Sequence, residues 1–241
     1  MKLYVQIYVL SNFFPTKALA ARAVAGQKKK PFHKNSRIQG IIEKFFYGLN
    51  PREKCSFFSE DSGRPCLRYE NKGQNNFSVD FNLSHSAEGL ALALIGGNVG
   101  CARIGCDIEK LRLRKNLSEI ARDFFFKEEV KWIFAGDGDE KVERFYRIWT
   151  AKEAWLKYYG NSIFDISLAP AFCVTPFDKS RSLLFSQFIL VSPSKDTYIV
   201  TIAAPSPLLK ENLYLEEGWR LRSCEQIYAA DNPVNTVSPK I

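Results

Sequence analysis

Apolar and polar positions change period along this chain, and each change predicts an element. Leu3, Val5, Ile7 and Val9 alternate with Tyr4, Gln6 and Tyr8, the two-residue period of a strand. Residues 13–26 are alanine-rich and read as a helix ending at Gly26, before the basic break Lys28-Lys29-Lys30-Pro31. Ile38, Ile41, Ile42, Phe45 and Phe46 recur at helical spacing over 36–48, with Asn35 or Ser36 as the cap and Asn50-Pro51 as the stop. Residues 60–65 form a turn cluster and 70–76 a polar loop. Residues 77–83 alternate again. Residues 90–95 are an apolar run whose Gly96-Gly97-Asn98 end signals a hairpin to a partner strand at 103–108. Helical spacing returns over 116–134, through Leu117, Ile120, Phe124, Val130 and Ile133. After a turn at 136–139 comes a helix over 140–159, then short strands at 171–174, 182–191 and 197–204.

Helices and a small sheet thus occur twice in succession. The predicted fold is α+β (α/β): two similar subdomains related by a pseudo-twofold, each a small, mostly antiparallel sheet packed with helices. The expected division is 1–104, 105–228 and a frayed tail at 229–241.

Composition narrows the setting. The chain has 241 residues, 46% of them apolar and 25% charged, as in an ordinary globular protein with a real core. Lys2, a short apolar run and Ala18-Leu19-Ala20 imitate an export signal, but Gln6, Ser11, Asn12 and Lys17 interrupt it. No apolar run approaches membrane-spanning length, so a soluble, cytoplasmic protein without a membrane partner is expected. The six cysteines have no C-x-x-C pair and no zinc spacing with His33 or His85, which fits reduced thiols. A formal net charge of +8 favours anions: phosphates, nucleic acid or an acidic protein.

Asp107 and Glu109 lie two apart in a strand, so both carboxylates leave one face, about 6–7 Å apart at the backbone. Such a pair needs a cation between its members, unless it is simply a solvated strand end running into Lys110, Arg112 and Arg114. Glu153 supplies a third acid. It shares a helix face with Lys157, which alone would be an ordinary surface ion pair. Trp149, Ala154, Trp155 and Leu156 bury much of that helix, however, and buried charges need partners. Few carboxylates with positions left for phosphate and water describe magnesium. Asn82-Leu83-Ser84-His85-Ser86 ends a strand in donors, with His85 reading equally as a turn residue or as an anion contact. Lys28–Lys30 read as a solvated face. Arg37 at a helix start and Arg64 in a Gly-Arg-Pro turn are more rigidly held phosphate candidates. The aromatic clusters at 124–126 and 132–134 exceed one buried face, leaving one or two residues to dock a protein.

Taken together, these motifs resemble those of the 4'-phosphopantetheinyl transferases. Gly105-x-Asp107-Ile108-Glu109 and Trp149-x-x-Lys152-Glu153-Ala154-x-x-Lys157-x-x-Gly160 are similar to the family's two signatures. Gly63-Arg64-Pro65, Asn82–Ser86 and Ala121–Phe125 match in order, and the likeness covers roughly residues 30–165. The opening strand and the length suit the larger, pseudo-dimeric, surfactin-synthetase-activating branch. The resemblance implies that Asp107, Glu109 and Glu153 bind magnesium against the diphosphate of coenzyme A, the substrate. The phosphopantetheine arm would pass to a serine of an apo carrier protein (acyl, polyketide or peptidyl), releasing adenosine 3',5'-bisphosphate. Glu153 would accept the serine proton, directly or through water, and Lys157 would neutralise the leaving oxygen. Ser84 and His85 would contact the adenosine-side phosphates, with Arg37, Arg64 and Lys30 assisting. Arg64 stands where the family often has lysine, and Cys106 replaces an aliphatic residue. The family's carriers are acidic, which suits the +8 charge. The doubled length suggests a monomer. Two rivals remain: a magnesium-dependent phosphohydrolase, and a basic nucleic-acid-binding module with no use for the carboxylates.

Overall fold

The computed structural model describes residues 3–11, 35–60, 64–69, 77–98, 102–173, 183–205 and 211–229. The expected helix at 13–26, the lysines including Lys30, His33, the loop at 70–76 and the tail beyond Ala229 lie outside the described residues. In chain order the elements are β1 (Leu3–Ser11), α1 (Ser36–Leu49), β2 (Cys55–Ser59), β3 (Pro65–Tyr69), β4 (Phe77–Ser86), β5 (Gly89–Asn98) and β6 (Gly105–Lys110). Then come α2 (Leu117–Phe124), α3 (Lys127–Phe134), α4 (Gly138–Tyr159), a 3-10 turn (Ile163–Leu168) and β7 (Phe172–Cys173). The chain continues through β8 (Leu183–Val191), β9 (Thr197–Pro205), β10 (Glu211–Leu215) and β11 (Arg220–Ala229).

The α+β class is observed: two main sheets, each packed with helices. One sheet runs β10-β1-β5-β4 and the other β6-β9-β8-β11-β7, with β2-β3 as a separate ribbon. Alternation on β1 divides its side chains as expected. Val5, Ile7 and Val9 are fully buried between the sheets, against Ile104, Cys106, Ile108 and Val200. On the opposite face α1 buries Ile38, Ile42, Phe45 and Phe46 against Phe77, Val79, Phe81 and Leu92. Asn35 caps α1, its side chain accepting the Arg37 N–H at 3.0 Å. Against the second sheet α4 packs Phe145, Ile148, Ala151 and Ala154 onto Phe185, Ile189, Ile199 and Ala203.

Four expectations are corrected. Gly96-Gly97-Asn98 is not a turn: it stays in β5, all three residues paired with β4 and both glycines also with β1. A Cβ at Gly96 would lie 2.7 Å from Leu49 and 2.9 Å from Val79, so the glycine admits α1 to the sheet. The segment at 103–108 consequently does not pair with β5; β6 is antiparallel to β9. The single helix expected over 116–134 is two helices. Phe125 and Phe126 are extended between them, Phe125 is buried in the α4 core, and Glu129 Oε2 accepts the Phe126 N–H at 2.8 Å. Finally, β10 crosses the division drawn at 104/105, because residues 211–215 lie parallel to β1 as an edge strand of the first sheet. No helix among the described residues is long and apolar enough to cross a membrane.

Candidate active site

The two main sheets meet along β4 and β6, and their junction is made by side chains. Polar residues occupy alternate positions of β4, and four of them accept N–H groups from β6 and the segment leading into it, at a constant offset of 24 residues. Ser78 Oγ takes Ala102 (2.8 Å), Asp80 Oδ2 takes Ile104 (2.9 Å), Asn82 Oδ1 takes Cys106 (3.1 Å) and Ser86 Oγ takes Lys110 (3.1 Å). These bonds satisfy edge N–H groups that would otherwise be buried without partners. Ser84 departs from the pattern. Its hydroxyl donates to Asp107 Oδ1 at 2.7 Å and accepts from Lys157 Nζ at 2.9 Å.

Around that departure several of the expected residues meet. Lys157 Nζ also lies 2.6 Å from Asp107 Oδ1. Ser86 Oγ donates to Glu109 Oε2 at 2.6 Å, and Arg114 stands 3.7 Å from the other Glu109 oxygen. Close packing of α4 on β6 makes this possible. A Cβ at Gly105 would collide with the Ala154 carbonyl and lie 2.7 Å from the Tyr158 nitrogen. Only glycine lets the helix carrying Glu153 and Lys157 lie this near the strand carrying Asp107 and Glu109.

Charge states follow from this crowding. Burial pushes the Glu153 carboxyl up to about 7, with Asp107 and Glu109 adding to the rise and Lys157 opposing it. Burial also raises Glu109, helped by Asp107 and resisted by the Ser86 hydrogen bond and Arg114. Burial alone would lower Lys157, but Asp107 and Glu153 outweigh it and hold the ammonium above its ordinary value. Lys157 is therefore a fixed positive charge rather than a base.

Among the described residues no three His, Cys, Asp or Glu side chains are drawn close enough together to hold a metal ion by themselves. The donor chemistry nevertheless fits a hard cation. Asp107 Oδ2 is buried without a hydrogen-bond partner, and Glu153 and Glu109 press like charges towards it.

The remaining candidates are dispersed. His85 is exposed and alternates on β4 with Ser84 and Ser86, so its side chain leaves the opposite face from theirs. Arg37 is ion-paired to Glu216 at 2.9 Å. Arg64 is buried, bonding to Asp80, to the carbonyls of Ile104 and Phe81, and to the carbonyl of Lys157. Lys152, which had no role in the sequence reading, points away from this cluster into the core. It is completely buried, 3.1 Å from Glu129 Oε2 and 3.1 Å from the Pro170 carbonyl, among Phe125, Phe126 and Phe172. Sequence reasoning also missed Asp80, and named Ser86 only as part of the donor cluster at 82–86. Their signal was the run of hydrogen-bonding residue types at every second position from 78 to 86.

With the geometry in view, residues 103–203 match the family model described as the 4'-phosphopantetheinyl transferase superfamily. The matched segment contains β6, α4 and all three carboxylates. It is similar to 4'-phosphopantetheinyl transferase HetI of Nostoc sp., at 33% identity over 52% of this chain and 52% of the relative. It resembles AcpT of Escherichia coli at 37% identity over 42% of this chain and 52% of the relative. Sfp of Bacillus subtilis is 33% identical over 44% of this chain and 42% of its own length. The chain thus spans about half the length of the curated relatives it matches.

Proposed function

We propose that this protein transfers the 4'-phosphopantetheine arm of coenzyme A to a serine of an apo carrier protein (acyl, polyketide or peptidyl), releasing adenosine 3',5'-bisphosphate. The observation that carries the reading is the convergence of Asp107, Ser84 and Lys157 within 2.9 Å of one another, with Glu153 coupled electrostatically to the same cluster. The matched relatives are named as 4'-phosphopantetheinyl transferases, which supports the same reaction.

Asp107, Glu109 and Glu153 would hold magnesium, which when bound neutralises charge on the diphosphate. The serine oxygen bonds to the phosphorus that carries pantetheine, and the bond from that phosphorus to the bridging oxygen breaks. Glu153 takes the serine proton. Its carboxyl, raised to about 7, is a stronger base than an ordinary glutamate. Lys157, held as an ammonium by Asp107 and Glu153, neutralises the bridging oxygen as it leaves with the bisphosphate. Ser84, His85 and Arg37 are proposed contacts for the adenosine-side phosphates, with Lys30 from the basic stretch. The +8 charge favours encounter with an acidic carrier, and a monomer carrying both sheets is the proposed working unit.

The test is incubation with coenzyme A, magnesium and an apo carrier protein, read by intact-mass spectrometry. A mass gain of one phosphopantetheine, absent when the carrier serine is replaced by alanine, supports the reading. No gain on any carrier tested, or release of pantetheine phosphate to water instead, would sink it.

A further inference from the structure

We infer that Arg64 is a positioning residue that sets the approach of Lys157 to Asp107, and is not a ligand of the coenzyme phosphates. The inference rests on the transferase reading above. Arg64 opens the β3 side of the two-stranded ribbon, far in sequence from both catalytic elements, yet its guanidinium touches the framework of each. Nη1 donates to the Lys157 carbonyl at 2.5 Å. That carbonyl lies in the last turn of α4, where no further turn follows to supply an N–H and where the helix dipole is negative. A buried guanidinium is a strong cap for it.

Nη2 donates to the Ile104 carbonyl at 3.0 Å and to Asp80 Oδ2 at 2.6 Å, while the same Asp80 oxygen accepts the Ile104 N–H at 2.9 Å. Arg64 and Asp80 therefore grip both backbone groups of the residue that leads into β6, three positions before Asp107. One side chain thus fixes the end of the helix bearing Lys157 and the start of the strand bearing Asp107.

Burial excludes the alternative role. The Arg64 side chain is 7% exposed, and both terminal nitrogens already have carbonyl or carboxylate partners. Turning it out to a phosphate would leave Asp80 buried without its counter-charge and the Lys157 and Ile104 carbonyls without their donor. In this chain lysine would keep the charge but not all of these contacts. An ammonium on a single stem does not span partners on both sides of a planar fork.

The experiment is steady-state transfer to an apo carrier by wild type, Arg64→Lys and Asp80→Asn, with coenzyme A and with 3'-dephospho-coenzyme A. For both variants kcat should fall about tenfold or more while KM for coenzyme A moves less than about twofold, the signature of a lost transition-state arrangement. The ratio of kcat/KM for the two coenzymes should stay at the wild-type value. A raised KM at unchanged kcat, or loss of preference for the 3'-phosphate in Arg64→Lys, would make Arg64 a phosphate ligand and overturn the inference. Wild-type kinetics in both variants would overturn it too. Should Arg64→Lys fail to fold, Asp80→Asn, which keeps the shape of its side chain, decides by the same criteria. Absence of transfer by the wild type is a separate outcome that defeats the transferase reading itself.

Discussion

Lys157 Nζ lies 2.6 Å from Asp107 Oδ1, joining a helix and a strand 50 residues apart in sequence. Asp107 is 4% exposed, and the ammonium supplies a counter-charge to this buried carboxylate. Replacing Lys157 by methionine keeps an unbranched apolar stem and removes the ammonium, its charge and its hydrogen bonds to Ser84 and Asp107. Transfer by Lys157→Met should fall by about a hundredfold or more in kcat, the usual cost of losing one preorganised charge at a leaving oxygen. Steady-state kinetics on the purified variant checks this.

Gly105 and Gly40 should respond oppositely to the same substitution. A methyl group at Gly105 strikes the Ala154 carbonyl, so Gly105→Ala must push α4 away from β6, lowering both the melting temperature and the transfer rate. Gly40 is exposed in the middle of α1, and a Cβ there meets nothing within 4 Å. Gly40→Ala should stabilise the protein by about 0.5–1 kcal/mol through helix propensity, with activity unchanged. Denaturant melts of the two variants provide the comparison.

How much of this was legible in the sequence depends on whether a signal was local. The apolar spacing of Ile38, Ile42, Phe45 and Phe46 found α1 and its buried face, and the spacing of Glu153 and Lys157 found the face of α4 that turns to Asp107. The motif at Gly105–Glu109 found a strand that needs glycine for close approach. Partners distant in sequence were not legible. Nothing in residues 211–215 announces that they pair with β1, because a parallel neighbour some 200 residues away leaves no mark on periodicity. Gly96 carried a real constraint that was assigned the wrong cause, a turn instead of helix-to-sheet contact. Arg64 was correctly read as rigidly held, but its partners Asp80, Ile104 and Lys157 come together only in three dimensions.

Lys152 and Glu129 form a pair with no exposure on either side chain, inside the core that supports α4. Glu129 also accepts the N–H groups of Phe126 and Phe172, at 2.8 and 2.7 Å, so its carboxylate is well satisfied. Removing one partner strands the other. Lys152→Met and Glu129→Gln should each destabilise by about 3–5 kcal/mol, and the double variant by less than the sum of the two. A double-mutant cycle by denaturant unfolding measures this, and strict additivity would contradict the pairing.

Arg147 bonds to both carboxylate oxygens of Glu225, at 2.8 and 3.1 Å, and holds that carboxyl below its ordinary value of 4.5. The folded state thus favours the ionised form. The pair's contribution to stability is full above the unfolded value and disappears as pH falls through the lower folded one. Glu225→Gln should melt below wild type at neutral pH, and the gap should close as pH drops beneath 4.5. Thermal melts across that range test the sign; a gap that widens in acid would refute it.

Asp107 and Glu153, brought from strand and helix to one cluster, are the pair on which the proposed transfer depends. Intact-mass spectrometry of an apo carrier protein incubated with coenzyme A, magnesium and either wild type, Asp107→Asn or Glu153→Gln tests it most directly, with circular dichroism confirming that each variant is folded. Wild type should phosphopantetheinylate the carrier completely, and either folded variant almost not at all. Wild-type rates from Asp107→Asn or Glu153→Gln would contradict this dependence.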